Sequence, residues 1–118
     1  MQLTLTKSDN DVLRIQCEGT ISQDGFKPGS DPLEDLIGTN CYDRKVLLNL
    51  ERTHYIDSSG VGWLMGRNKQ FRQSGGRLIL HSIPPMVSQV LQLLRMGMVL
   101  ELATDEVTAL ARVTGDKS

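Results

Sequence analysis

The chain has 118 residues, of which 39% are hydrophobic and 23% are charged. This length suits one domain, and the composition is that of a folded protein rather than a disordered chain. Thirteen basic and fourteen acidic residues give a formal net charge of −1 at pH 7. Because there is no excess of positive charge, we expect no direct binding to nucleic acid or to an anionic membrane.

Metal sites, disulfides and membrane spans are not expected either. The two cysteines, Cys17 and Cys41, form no C-x-x-C pair, and Cys17 falls on an apolar alternation typical of a buried strand. We therefore predict no metal and no cofactor. The first residues show no secretory signal pattern, and polar residues and prolines interrupt the least charged stretch, 78–94. These features favour a cytoplasmic protein without a membrane span.

The first third of the chain predicts a hairpin, a loop and a short helix. "QLTLT" and "VLRIQCE" alternate apolar and polar residues around the turn-forming "KSDND", which is typical of paired antiparallel strands. "GTISQDGFKPGSDP" predicts an irregular loop. "PLEDLIG" predicts a short helix capped by Asp31, with Pro32 at its first position and Gly38 at its end.

The remaining chain alternates strands and helices. Strands are predicted at 45–51, 77–83 and 98–103, and helices at 59–74, from the Pro84–Pro85 pair to near Gly97, and after a Thr104 cap. The buried stripe of the first of these helices is predicted to be Val61, Leu64, Met65, Asn68 and either Phe71 or Arg72. That of the second is predicted to be Val87, Val90, Leu91 and Leu94. The basic residues Arg67, Lys69, Arg72 and Arg77 are interpreted as a solvated face.

This element order predicts one α/β domain. A mixed sheet of four to five strands would carry its helices mainly on one face, because the first two strands alternate as if one side were exposed to water. We place the domain at residues 1–113 and a flexible tail at 114–118.

The segment "HYIDSSGVGWLMG", residues 54–66, carries the strongest candidate site. Either Ser58 or Ser59 could cap the helix that begins there. Asp57 is itself a good cap, however, and Gly60 and Gly62 keep the first turn slim. A hydroxyl at an open, positive helix end also suits a residue that is modified or docked upon.

Other chemistries fit the segment poorly. "IDSSG" lacks the first glycine of the G-x-S-x-G nucleophile elbow of hydrolases. The order of residues in the chain also gives no reason to expect His54 or His81 next to a serine as the base of a catalytic triad. We therefore do not expect an enzyme.

Trp63 falls off the predicted stripe and either fills a gap beside a neighbouring helix or anchors a partner. Met96 and Met98 are either core filler or an adaptable contact surface.

The region from "VLLNLERTHYIDSSGVG" through "GRNKQFRQSGG", "RLIL" and "RMG", residues 45 to about 97, resembles the STAS domain family, and within it the bacterial stand-alone anti-sigma factor antagonists. The resemblance implies a small α/β fold and a partner that is both an anti-sigma factor and a serine kinase, together with a phosphatase. It implies phosphorylation at Ser58, the first serine after the aspartate. The predicted partner-binding residues are Asp57, Ser58, Ser59, Gly60, Val61 and Trp63.

The sequence departs from the family pattern after the second strand, where residues 19–39 leave room for only a short helix. The same fold also serves in relatives that are constitutive subunits of stress-sensing assemblies or of lipid-transport complexes. That role is the alternative function, and the oligomeric state is left open.

Overall fold

The computed structural model describes residues 1–9 and 11–114. This part of the chain forms five strands and four α-helices. The strands are β1 (Gln2–Asp9), β2 (Val12–Ile21), β3 (Lys45–Ile56), β4 (Arg77–His81) and β5 (Glu101–Ala103), and the helices are α1 (Pro32–Ile37), α2 (Ser58–Gln73), α3 (Pro85–Leu93) and α4 (Glu106–Val113). Short 3₁₀ turns occupy Cys41–Asp43 and Met96–Met98. Of the predicted tail, Thr114 ends α4, whereas residues 115–118 lie outside the described residues.

The strands form one sheet in the order β1-β2-β3-β4-β5. β1 pairs antiparallel with β2, and every later neighbouring pair is parallel. Ile15, Leu48, Leu80 and Leu102 lie side by side across the parallel part. The predicted hairpin and the predicted mixed α/β sheet are therefore confirmed.

The two faces of the sheet are covered unequally, as the alternation of side chains requires. The larger core joins one face to α1, α2 and α3, with Leu33, Leu64 and Leu91 contributed by the helices. The smaller core joins Leu47 and other residues of the opposite face to α4. The helices thus lie mainly on one face, with α4 as the exception.

Several predicted boundaries and contacts are wrong. β3 continues to Ile56 rather than 51 and remains paired with β2 beyond the point where β4 ends. The last strand is shorter than predicted because the chain first makes the Met96–Met98 turn. The cap of α4 is Asp105, whose carboxylate accepts from the N–H of Thr108, and not Thr104.

Two predicted core residues lie at the surface instead. Met65 is 39% exposed and Leu94 is 48% exposed. Leu94 ends α3 as its C-cap, where the helical geometry that would turn it inward stops. Met98 is 83% exposed, while Met96 packs partly against the larger core. The core interpretation therefore holds for Met96 and fails for Met98.

Within the described residues, no helix has both the length and the apolar character needed to cross a bilayer.

Candidate functional site

The serine pair lies at the edge of the sheet where β2 and β3 both end. These strands are parallel neighbours, so their carboxyl ends meet. The N–H of Asp57 donates to the carbonyl of Ile21, 3.2 Å away, and α2 begins at the next residue, Ser58. The end of β2 and the start of α2 therefore form one continuous surface.

Asp57 is the cap of α2. Its Oδ1 accepts a hydrogen bond from the N–H of Gly60 at 2.8 Å and another from the hydroxyl of Ser59 at 2.7 Å. The hydroxyl groups of Ser22 and Ser59 and the N–H of Gly60 hold the pKa of Asp57 below its ordinary value, because hydrogen bonds stabilise the ionised carboxylate. Neither Ser58 nor Ser59 acts as the cap, and the site carries a negative charge at neutral pH.

Ser59 ties α2 to the segment that follows β2. Its hydroxyl accepts from the backbone N–H of Gln23 at 2.9 Å and lies 3.3 Å from the hydroxyl of Ser22. The Gln23 side-chain amide donates to the Ser59 carbonyl at 2.8 Å. The Ser59 hydroxyl is thus occupied by structural hydrogen bonds.

Ser58 differs from its neighbour in both exposure and bonding. Its side chain is exposed, and its hydroxyl forms no hydrogen bond with any group in residues 1–9 and 11–114. It is the first residue of a sixteen-residue helix. A reagent or a partner can therefore reach its oxygen without breaking a contact of the fold.

Gly60 serves the packing of α2 against β2. A Cβ added at this position would lie 1.9 Å from the carbonyl oxygen of Ile21, so only glycine permits this approach. Gly62, by contrast, is exposed, and its nearest neighbour would be the Gln23 side chain at 4.0 Å. Of the two glycines, only Gly62 leaves open surface beside Ser58.

A family comparison agrees with this geometry. The model of the STAS domain matches residues 7–109, which is most of the chain. The chain belongs to the STAS domain family. The resemblance seen in the sequence is thereby confirmed.

Two curated relatives of this STAS domain are named as regulators of sigma factor activity. A protein of Lysinibacillus sphaericus named anti-sigma F factor antagonist is 37% identical over 70 residues, and one of Paenibacillus polymyxa with the same name is 29% identical over 68 residues. The matched regions cover 59% and 58% of this chain and the same shares of the relatives, so the match spans less than two thirds of each. The solved structure of the anti-sigma factor antagonist SpoIIAA in its unphosphorylated form has a TM-score of 0.71 and 26% identity, covering 98% of this chain and 99% of that one.

The structure places the predicted partner-binding residues of the STAS domain in two groups. Asp57, Ser58 and Ser59 lie at the surface or partly so. Gly60 is buried, and Val61 and Trp63 are only 5% and 6% exposed. The buried three shape this surface from beneath and offer almost no side-chain area of their own.

Trp63 fills a gap inside the domain. Its ring packs edge-on against Phe26, with centroids 6.1 Å apart, and its Nε1 donates to Oδ2 of Asp31 at 2.8 Å. Of the two alternatives for this residue, the gap-filling one describes the structure. The indole therefore connects α2 to the β2–α1 segment.

A polar cluster beneath α2 was not foreseen. Arg67 donates to Asp31 at 3.1 Å, to Glu34 at 3.2 Å and to the hydroxyl of Tyr42 at 2.6 Å. Its side chain is 19% exposed, and its Nε is buried without a partner in the described part of the chain. Arg67 therefore does not belong to a solvated face. Arg77 lies on β4 with a side chain that is 41% exposed, where it pairs with Glu101 of β5. The interpretation of a solvated face was wrong for Arg67.

Sequence reasoning also missed Ser22 and Gln23, which sit against Ser59. The signal that could have found them is topological. Polar residues that directly follow two parallel neighbouring strands meet at the same edge of the sheet.

The histidines lie in different settings. His81 is 1% exposed, and its Nδ1 lies 2.8 Å from the hydroxyl of Ser82. Burial lowers the pKa of His81 from its ordinary value, because a charged imidazole loses hydration there. His54 is exposed.

Proposed function

We propose that this chain is an anti-sigma factor antagonist, and that it docks on an anti-sigma factor with serine kinase activity until Ser58 is phosphorylated. The observation that carries the proposal is the contrast within the serine pair. Ser58 has an exposed hydroxyl without a hydrogen-bond partner in the described chain, whereas the hydroxyl of Ser59 is bonded to Asp57 and Gln23. The names of the two curated relatives and of the SpoIIAA structure support the same role.

The exposure of Ser58 supports it as the phosphate acceptor. In the transfer, its oxygen bonds to the γ-phosphorus of ATP, the bond to the ADP oxygen breaks, and a base of the kinase takes the hydroxyl proton. Transfer to Ser59 would require its hydroxyl to leave Asp57 first. In this role the chain is a substrate and a binding partner rather than a catalyst, and a phosphatase would restore its docking form.

Phosphate at Ser58 is expected to leave the fold intact. It adds about −1.5 to −2 charge next to the ionised Asp57, which is unfavourable but screened by solvent. The positive end of the helix dipole stabilises a negative charge at the N-terminus of α2 by about 0.3 to 1 kcal/mol. These effects are small beside the roughly 5 to 15 kcal/mol that stabilises a domain.

An interface at Ser58 would respond much more strongly. Removing a phosphate from water costs several kcal/mol unless cations receive it. Asp57 beside it adds a second negative charge to whatever surface docks there. Phosphorylation would therefore end docking without unfolding the domain. The proposal implies a cytoplasmic protein, because sigma factors and ATP are found there.

The site is tested with the anti-sigma factor purified from the same organism. Wild type, Ser58→Ala and Ser59→Ala are each incubated with this factor and ATP, and intact mass is followed by fragmentation across residues 53–67. We expect one phosphate on Ser58 in wild type and in Ser59→Ala, and none in Ser58→Ala. Melting curves of the three proteins check that each is folded.

Phosphate on Ser59, or on the Ser58→Ala protein, would contradict Ser58 as the phosphorylated residue. A stable complex that never acquires phosphate and is indifferent to ATP would contradict the switch. That second result would favour the constitutive subunit instead.

A further inference from the structure

Ser58 stands at one end of a continuous exposed face of α2. Gly62, Met65, Lys69 and Arg72 follow it at intervals of four, seven, eleven and fourteen residues, and all five are exposed. These intervals return to the same side of an α-helix. At 1.5 Å per residue the face is about 21 Å long. A partner that covers Ser58 can therefore extend along the helix.

A groove opens beside the second half of this face. Its volume is about 420 Å³. It is lined by Met65, Asn68, Lys69, Arg72, Gln73 and Val99. The Asn68 side-chain amide donates to the Val99 carbonyl at 3.0 Å, which fixes the floor. Met65 and Val99 are 39% and 38% exposed, so apolar surface faces solvent here.

The charge around this groove is positive. Within residues 1–9 and 11–114, no carboxylate lies within 4 Å of the side-chain nitrogens of Lys69 or Arg72. The nearby acid, Glu101, is already paired with Arg77 at 2.6 Å and with Arg112 at 3.3 Å. An apolar floor with uncompensated cations at its rim calls for an occupant that is apolar and acidic.

We propose that the α2 groove, formed by the six residues that line it, receives an acidic, apolar segment of the anti-sigma factor whose kinase site reaches Ser58. This inference rests on the proposed function and adds a second contact to it. Apolar side chains of the segment cover Met65 and Val99, and its carboxylates meet Lys69 and Arg72. Gly62, which has no side chain, leaves room for the partner between Ser58 and the groove.

The test measures the affinity of the anti-sigma factor for charge-reversed variants. Lys69→Glu/Arg72→Glu reverses both rim charges, and Arg44→Glu/Lys45→Glu makes the same charge change at exposed positions around the start of β3. Ser58→Asp is included as the variant that reports on the proposed function. All substituted positions are exposed, and melting curves verify folding.

We expect the groove variant to bind at least about tenfold more weakly than wild type, because the partner's carboxylates then face like charges. The Arg44→Glu/Lys45→Glu control should bind within about twofold of wild type, since its charges lie outside the contact. Raising the salt concentration should weaken wild-type binding more than binding by the groove variant. In hydrogen exchange, bound factor should protect amides within 62–73 and 98–100.

Three results would overturn the proposal in different ways. If Ser58→Asp fails to bind while the groove variant binds like wild type, the groove is not part of the interface and the proposed function stands. If wild type does not bind the factor at all, both proposals fail. A wild-type dimer that the groove variant cannot form would assign the groove to a second copy of this chain and overturn the proposal that a segment of the anti-sigma factor occupies it.

Discussion

The hydroxyl of Ser59 lies 2.7 Å from Oδ1 of Asp57, the carboxylate oxygen that also caps α2. This contact gives the second serine of the pair a structural role and leaves the first exposed. Two chemically identical neighbours therefore differ in what they contribute to the fold and in what can be done to them.

The two serines should differ in their contribution to stability. Ser59→Ala removes the hydrogen bonds to Asp57 and Gln23 and should lower the free energy of unfolding by about 1 to 3 kcal/mol. Ser58→Ala removes an exposed hydroxyl without partners in the described chain and should change it by less than about 0.5 kcal/mol. Urea unfolding measures both values. Equal losses in the two variants would contradict the distinction.

The two glycines of the first turns offer a matched pair. Gly60→Ala places a Cβ against the Ile21 carbonyl and should destabilise the domain by about 3 kcal/mol or more. Gly62→Ala meets nothing closer than 4.0 Å and should stabilise the helix by about 0.5 to 1 kcal/mol. Thermal unfolding of both variants, compared with wild type, measures the two changes in stability. A Gly60→Ala protein as stable as wild type would show that α2 does not press on β2 here.

Arg67 should matter to stability far more than Arg72, although both lie on α2. Arg67→Ala leaves the carboxylates of Asp31 and Glu34, whose side chains are 15% and 28% exposed, without this cationic partner. It should lower the free energy of unfolding by about 2 to 4 kcal/mol. Arg72→Ala removes an exposed side chain and should change stability by less than about 0.5 kcal/mol. Trp63 is the single tryptophan and bonds Asp31, so its fluorescence should also change only in the Arg67 variant. Similar losses in the two variants would refute the polar cluster as a stabilising feature.

His81 should make stability depend on pH. Burial holds the pKa of His81 in the folded state below its ordinary 6.5, so the unfolded state takes up the proton first as the pH falls. The stabilising contribution is complete above pH 6.5 and is lost as the pH falls from there through the folded-state pKa. The free energy of unfolding, measured from about pH 7.5 to 5, should therefore decline.

The control for this dependence uses the other histidine. His81→Gln should flatten the decline, whatever its effect on stability at pH 7.5. His54→Gln, at an exposed position, should keep the wild-type slope. An unchanged slope in His81→Gln would assign the pH dependence to other groups.

Features set by local chemistry could be predicted from the sequence. Helix α1 has the predicted limits, because Asp31, Pro32 and Gly38 are adjacent in the chain to the backbone groups they serve. The succession of strands and helices along the chain followed from apolar runs separated by turn residues. At Asp57, Ser58 and Ser59, however, three adjacent residues can each cap a helix, and only the three-dimensional approach of β2 decides among them.

Features that depend on distant segments could not be predicted. Trp63 is buried and Arg67 is partly buried because the β2–α1 segment and Tyr42 cover one side of α2. Met65 is exposed because nothing in the described chain covers the other side. The charge and apolar pattern of α2 alone does not say which side is covered.

We propose that docking depends on the state of Ser58, and one binding experiment compares the two states. The anti-sigma factor is titrated with unmodified protein and with protein carrying phosphate at Ser58, and near-native melting of the second is verified. We predict that phosphate weakens binding at least about tenfold, because the added charge is costly to bury. Equal affinity for the two forms would show that phosphate at Ser58 does not control docking.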